Sequence, residues 1–290
     1  MTKTALLRKI LAEKKLLVTA GAHDALSARV LAKAGFEAIF LSGFGFEASL
    51  LGKPDAGLLS MSEIITHAKN IAGSVDVPVL ADAESGYGSF SNINRTIREF
   101  EQAGVAGVFM EDQAHPVLCG TLRKFKRVIA MEEMVQRLKC ALDSRQDPNF
   151  IICGRTDADI ISIDEQIKRC TAYASAGADM VMPQPQSREE WELVAKQINA
   201  PLWVNLGLDS PVSVKDLEEM GIHGIAMYPV ELLFTATRAM TVLATELKTK
   251  GSIKETMTEY HTGSYKEFFS FIGLRDVVEW DQKYMDQQGK

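Results

Sequence analysis

Short apolar runs alternate along most of this chain with longer stretches in which apolar positions recur every three or four residues. The short runs fall at 16–20, 38–42, 77–81, 107–110, 150–153, 180–182, 202–204 and 224–227. The amphipathic stretches fall at 25–34, 62–72, 93–103, 131–142, 163–176, 187–198, 214–220 and 231–248. A run that is apolar throughout reads as a strand buried on both faces, and the longer period reads as a helix with one face on the core. Strand and helix therefore alternate eight times.

Four joints between a helix and the next strand carry the same phrase: Ala34-Gly35-Phe36, Ala103-Gly104-Val105, Ala176-Gly177-Ala178 and Met220-Gly221-Ile222. Glycine there supplies the left-handed residue that stops a helix before a buried strand begins. Repeated strand–helix units require a parallel sheet, and eight of them close into a (β/α)8 TIM barrel of the α/β class. The competing arrangement is an open doubly wound sheet; no GxGxxG follows the first strand to favour it. The chain is expected to be one barrel domain over 1–290. Within it, 251–290 forms an extra C-terminal helical segment. Its apolar residues Tyr265, Phe268, Phe269, Phe271, Ile272 and Leu274 predict packing on the barrel or on a neighbouring subunit. The first residues read as a surface helix with Leu6, Leu7, Ile10 and Leu11 on one face.

Composition narrows the classes. Hydrophobic residues make up 46% of the 290 positions and charged residues 24%, as in an ordinary globular protein. The formal net charge of −6 argues against nucleic acid as a partner. No apolar run is long enough for a membrane span, and the N-terminus has no signal-type apolar core. Cys119, Cys140, Cys153 and Cys170 lack metal-type spacing, which points to a reduced, cytoplasmic setting.

Barrel chemistry sits where strands end and the following loops begin. The polar residues at those positions are Ser42-Gly43, Asp82 and Glu84, Glu111-Asp112, Arg155, Gln184, Asn205 and Tyr228, with Asp55 in the loop after the second strand. Carboxylates at such density raise one another's pKa unless a cation neutralises them. Oxygen ligands without His or Cys favour Mg2+ or Mn2+ over zinc. For any one of these acids, a helix cap or a pair with a loop cation is the competing reading. Arg155 is a fork for a substrate carboxylate or, alternatively, the partner of a neighbouring acid. Ser42 and Gly43 are placed to present backbone N–H groups to a second carboxylate. The connection 113–130 is long enough for a lid, with Cys119 on it as a reactive thiol or an inert loop cysteine.

These residues, in this order, resemble the isocitrate lyase / phosphoenolpyruvate mutase superfamily. The matching phrases are Gly21-Ala22-His23-Asp24-Ala25-Leu26-Ser27-Ala28, Leu41-Ser42-Gly43, Gly52-Lys53-Pro54-Asp55, Asp82-Ala83-Glu84-Ser85-Gly86-Tyr87-Gly88, Glu111-Asp112-Gln113, Cys119-Gly120 and Arg155-Thr156-Asp157-Ala158. Together they span about 16–245 and are most similar to the short lyase-type branch, which includes the methylisocitrate, dimethylmalate and carboxyvinyl-carboxyphosphonate enzymes.

The resemblance implies Mg2+ (or Mn2+) near Asp82, with Asp55, Glu84 and Glu111 contributing directly or through water. It implies a small 2-oxo or 2-hydroxy acid substrate and an enolate intermediate. Ser42, Gly43, Phe44, Arg155, Gln184 and Asn205 would bind the substrate. Cys119 would act as general acid, with Arg155 and Glu111 also catalytic. A homotetramer with exchanged C-terminal helices is implied as well.

The chain departs from the lyase pattern on the lid, where Val117-Leu118-Cys119-Gly120-Thr121 replaces Lys-(Lys/Arg)-Cys-Gly-His. It also carries Phe40 for a tyrosine, Glu84 for an aspartate and Gln184 for a glutamate. Phe40 and Gln184 are expected to line a pocket less polar than that of the tricarboxylate lyases. The expected activity is carbon–carbon cleavage of a small 2-hydroxy dicarboxylate. The alternatives are P–C bond mutase or phosphonopyruvate hydrolase chemistry, oxaloacetate hydrolysis or decarboxylation, and metabolite binding without turnover.

Overall fold

The computed structural model describes residues 1–118, 120–260 and 263–285, and of residues 120–122 the backbone alone. Eight parallel strands close into a barrel in chain order: β1 (Leu16–Ala22), β2 (Ile39–Leu41), β3 (Val79–Asp82), β4 (Gly107–Glu111), β5 (Ile151–Arg155), β6 (Met180–Met182), β7 (Leu202–Asn205) and β8 (Gly224–Tyr228). β8 returns to β1, pairing Leu16 with Gly224 and Ala20 with Tyr228. The (β/α)8 barrel expected from the alternation is therefore present.

The strands divide their side chains between two cores. Leu17, Phe40, Leu80, Phe109, Ile151, Cys153, Met180, Met182, Trp203, Ile225 and Met227 fill the barrel interior. The intervening residues, such as Ile39, Leu41, Val108, Ile152 and Val204, pack outward against the helices. Inside, Phe40, Phe109 and Trp203 form one aromatic layer, with ring centroids 5.5 to 5.9 Å apart. Phe40 is thus a buried element of the barrel interior, two positions below the mouth residue Ser42.

Several of the connecting helices start on a capping residue. Asp24 caps Ala25–Lys33, Ser60 caps Met61–Ser74, Ser162 caps Ile163–Ser175 and Ser187 caps Arg188–Gln197, in each case accepting the N–H three residues on. Gly35, Gly104, Gly177 and Gly221 all have positive φ, as the repeated joint predicts. Pro78 precedes β3 because it has no N–H for the ladder; its carbonyl still accepts from Ile39 at 3.0 Å.

The N-terminal helix Lys3–Glu13 does more than cover surface. Leu7 is fully buried and Ile10 nearly so, and both join the interior cluster with Leu17, Ala38 and Ala106. Ala38 and Ala106 precede their strands, so the helix closes the N-terminal end of the barrel and leaves the opposite end for chemistry.

The chain divides into two compact units, Met1–Leu233 and Phe234–Lys290. The second contains most of the helix Glu231–Lys250 and the helices Lys254–Tyr260, Tyr265–Phe271 and Leu274–Met285. Tyr265, Phe269, Val277, Trp280 and Met285 are exposed there. Among the described residues, no helix is long and apolar enough to cross a membrane.

Candidate active site

In six of the strands, the interior row continued by two residues names the mouth. Phe40 leads to Ser42, Leu80 to Asp82, Phe109 to Glu111, Cys153 to Arg155, Met182 to Gln184 and Trp203 to Asn205. Because strand side chains alternate faces, the parity that packs the barrel also aims these polar groups at its C-terminal opening. Tyr228 has the other parity and packs against the outer core.

Asp112 is likewise turned away from the mouth. Fully buried, it accepts from Thr156 Oγ1 at 2.7 Å, Tyr173 Oη at 2.7 Å, Arg169 Nη1 at 2.9 Å and the Asp157 N–H at 2.8 Å. It fastens the helix Ile163–Ser175 to the end of β5. Adjacent acids in Glu111-Asp112 therefore have separate tasks, one toward the site and one structural.

Asp82 accepts from the backbone N–H of Glu84 at 2.8 Å and from that of Gly43. The Gly43 N–H lies on the Asp82 side of the mouth. Gly43 is needed for space, since a Cβ there would lie 2.5 Å from Glu84 Oε1 and 3.4 Å from Asp82 Oδ2. Ser42 is buried just before the one-turn helix Gly43–Phe46, and Phe44 is half-buried on that turn. Glu84 holds φ at 51° and Tyr87 at 59°. Left-handed backbone at two non-glycine residues in one loop stores strain, which only surrounding structure sustains. The Glu84 carbonyl accepts from the Glu111 N–H at 2.9 Å, which ties this loop to β4.

Arg155 spans two acids. Its Nη1 lies 2.9 Å from Glu111 Oε2 and its Nη2 2.9 Å from Asp157 Oδ1, while its guanidinium sits 5.3 Å above the Phe109 ring. Asp157 also pairs with the buried Lys126. Gln113 Nε2 donates to Glu111 at 2.8 Å. Among the described residues, the buried donors without a partner include Arg155 Nε, the Tyr87 hydroxyl and Gln184 Nε2. Asn205 is exposed at the end of β7.

The acids shift as crowded, desolvated groups do. Burial pushes Asp82 up to about 6, with Arg155 opposing it. Burial, Asp82 and Glu47 push Asp55 up to about 6. Glu84 is raised well above the usual carboxylate range by burial, then by Asp82, Glu111 and Asp55. Glu111 is raised by burial; Arg155 opposes this, and Asp157 and Asp82 add to it. Asp157 goes the other way, because Arg155 and Lys126 together overcome the burial that would raise it. Among the described residues, no three His, Cys, Asp or Glu side chains close into a ready metal cage.

Cys119 lies outside the described residues. The connection that carries it is anchored on both sides. Gln113 forms an antiparallel bridge with Val128, Ala114 N–H donates to the Arg127 carbonyl at 2.7 Å, and Gln113 Oε1 accepts from Leu118 N–H at 3.1 Å.

Lys126, Asp157, Tyr87 and Glu47 are the site-side residues that sequence reasoning did not assign. Asp157 was available from strand parity, two residues beyond Arg155. Lys126 stands out in the sequence only as part of the basic cluster Arg123-Lys124-Phe125-Lys126-Arg127, read as serving an anionic small molecule or a solvated loop. Nothing local marks Glu47; both act through contacts with distant segments.

A closed parallel barrel whose interior row ends in crowded acids and an arginine at the C-terminal mouth defines a barrel enzyme. The chain belongs to the phosphoenolpyruvate phosphomutase family, whose pattern matches residues 7–248. It is 38% identical to a 2,3-dimethylmalate lyase of Eubacterium barkeri over 98% of this chain and 99% of that protein. It is 36% identical to a 2-methylisocitrate lyase of Bacillus subtilis, over 95% of this chain and 91% of that protein. A phosphonopyruvate hydrolase crystallised with oxalate and Mg2+ superposes with a TM-score of 0.88 at 27% identity, covering 98% of this chain and 100% of that one. The chain is an enzyme of the isocitrate lyase / phosphoenolpyruvate mutase superfamily.

Proposed function

We propose that this enzyme is a divalent-metal-dependent carbon–carbon lyase. Its substrate would be a small 2-hydroxy dicarboxylate of alkylmalate or methylisocitrate type. The observation that carries the proposal is the pairing of Arg155 with a crowd of buried acids raised toward protonation. Such a site gains from a cation beside the acids and from an anion beside the arginine. The similarity to 2,3-dimethylmalate lyase and 2-methylisocitrate lyase supports the carbon–carbon reading.

The donor set is all oxygen, which fits Mg2+ or Mn2+. Mg2+ usually keeps several waters and takes one or two carboxylates directly. Asp82 would hold the ion, with Asp55, Glu84 and Glu111 acting directly or through water. Bound there, the ion supplies positive charge to the oxygens of a substrate that becomes more anionic as it reacts.

The protein's own groups do the rest. Arg155, whose Nε–H has no partner, takes a substrate carboxylate, and Gln184 offers its free amide N–H. Ser42, Gly43, Phe44 and Asn205 complete the walls. The substrate hydroxyl loses its proton, the C2–C3 bond breaks, and its electron pair passes into the enolate of the departing acid. Glu111, raised in pKa, is suited to receive that hydroxyl proton. Cys119 is assigned the proton that returns to carbon, giving a 2-oxo acid and a shorter carboxylate. The exposed apolar residues of Phe234–Lys290 support association with further copies of this chain, as a homotetramer with exchanged C-terminal helices.

The test is a panel of 2-alkylmalates, methylisocitrate, oxaloacetate and phosphonopyruvate with Mg2+, read by 2-oxo-acid and phosphate release. A 2-oxo acid released from a hydroxy acid is the expected result. Turnover confined to oxaloacetate or phosphonopyruvate would replace the lyase reading with hydrolysis or decarboxylation of those substrates.

A further inference from the structure

We propose that Glu47 is a positioning residue that holds Asp55 at the barrel mouth. The inference rests on the metal-site reading of Asp55 given above.

Glu47 is only 3% exposed, although it lies on a segment between a strand and a surface loop. It opens the π-helical turn Glu47–Leu51, a geometry that inserts a residue and re-aims the side chains around it. The turn ends at Gly52, whose φ of 61° reverses the chain. From there the loop to Leu59 is fastened to Glu47 on both sides of Asp55. On the N-terminal side, Lys53 N–H donates to the Glu47 carbonyl at 3.3 Å. On the C-terminal side, the Glu47 carboxylate accepts from Ala56 N–H at 2.8 Å, from Leu58 N–H, and from Leu59 N–H at 3.2 Å.

Three backbone donors converging on one buried side chain select a carboxylate. It is acceptor-only and satisfies all three at charge-assisted strength. An amide would turn its own N–H groups toward some of those donors. The contacts that hold the Glu47 carboxylate are these backbone N–H groups. Asp55 feels that charge, since Glu47 is among the groups raising it. The same loop reaches the lid connection, because a Cβ on Gly57 would lie 3.5 Å from the Val117 carbonyl. Glu47 therefore fixes a loop that both presents an acid to the mouth and lies against Val117 of the 113–130 connection.

The experiment measures Mn2+ binding by EPR titration, together with hydrogen exchange of the 52–60 segment. The variants are Glu47→Gln, Asp55→Ala and the double variant. Glu47→Gln is expected to weaken Mn2+ binding by about 10- to 100-fold, the usual effect of removing a group that orients a ligand. It should also raise exchange in 52–60 without changing the rest of the barrel. The double variant should bind Mn2+ no more weakly than Asp55→Ala alone, since Glu47 acts through Asp55. Should Glu47→Gln fail to fold, Glu47→Asp keeps the charge and is expected to show a smaller loss of the same kind.

Weaker Mn2+ binding in Asp55→Ala, with Glu47→Gln unchanged, overturns the positioning role. Additive losses in the double variant overturn it too. If Asp55→Ala binds Mn2+ normally while Glu47→Gln loosens 52–60, the metal reading of Asp55 falls and the loop-holding role of Glu47 stands.

Discussion

Lys126 closes on Asp157 across 31 positions of sequence, and both side chains are almost fully buried. From Asp157 the polar contacts continue through Arg155 to Glu111 and Gln113, and from Gln113 to the backbone of Leu118. One chain of contacts thus joins both feet of the 113–130 connection through the arginine assigned to the substrate.

Removing the cation at the end of that chain tests it. Lys126→Met leaves Asp157 with Arg155 as its partner, and Arg155 is drawn away from Glu111. KM for the dicarboxylate is expected to rise by tenfold or more, roughly 1.4 kcal/mol. The melting temperature should also fall, because breaking a buried pair costs about 3–5 kcal/mol. Lys126→Arg should restore much of both. An unchanged KM in a folded Lys126→Met protein would show that the pair does not orient Arg155.

Arg155→Lys keeps the charge and loses the fork. A lysine cannot reach Glu111 and Asp157 in the two-pronged geometry, nor stack on Phe109. Each lost charge-assisted hydrogen bond is worth about 1.5–3 kcal/mol, so kcat/KM should drop on the order of a hundredfold. Steady-state kinetics on the best substrate of the panel measures this directly.

The pH dependence follows from the raised acids. Asp55 and Asp82 titrate near about 6 in the folded protein, against about 3.9 in an unfolded chain. Between those values the folded state binds more protons than the unfolded one. Stability of the metal-free protein therefore falls as pH rises from about 4 to about 6. Glu84 and Glu111, raised well above the ordinary range, extend the decline upward. A bound cation competes with the same protons, so the thermal shift given by Mg2+ should grow through this window. Melting curves with and without Mg2+ at several pH values test both signs, and a shift independent of pH would contradict the account.

Gly43→Ala places a methyl 2.5 Å from the Glu84 carboxylate. To make room, the Glu84 carboxylate must swing aside among the neighbouring Asp82 and Glu111. Activity should fall by at least tenfold while the melting temperature changes by only a few degrees. Paired kinetic and thermal measurements separate this outcome from simple unfolding.

Leu7→Ala probes the other end of the barrel. Leu7 is fully buried in the interior cluster, and removing it opens a cavity beneath Leu17 and Ala38. The expected cost is about 2–5 kcal/mol, read by denaturant unfolding, with kcat unchanged in the folded protein.

The eight strands, eight helices and parallel order were legible in the sequence because each follows from local periodicity. Strands such as Val108-Phe109-Met110 are apolar on both faces, and helices such as Phe90–Gln102 are apolar on one. The mouth residues Asp82, Glu111, Arg155, Gln184 and Asn205 were legible too, since a strand end is a local feature and the two-residue alternation assigns its direction. Face assignment was harder where two acids adjoin, and the side chain of Asp112 turned out to lock a helix. The anchor role of Leu7, the closure of Lys126 on Asp157 and the hold of Glu47 on the Asp55 loop belong to the tertiary structure alone. Each joins segments whose proximity arises only when the barrel closes, and a periodicity of two or 3.6 residues carries no information about which loops then meet.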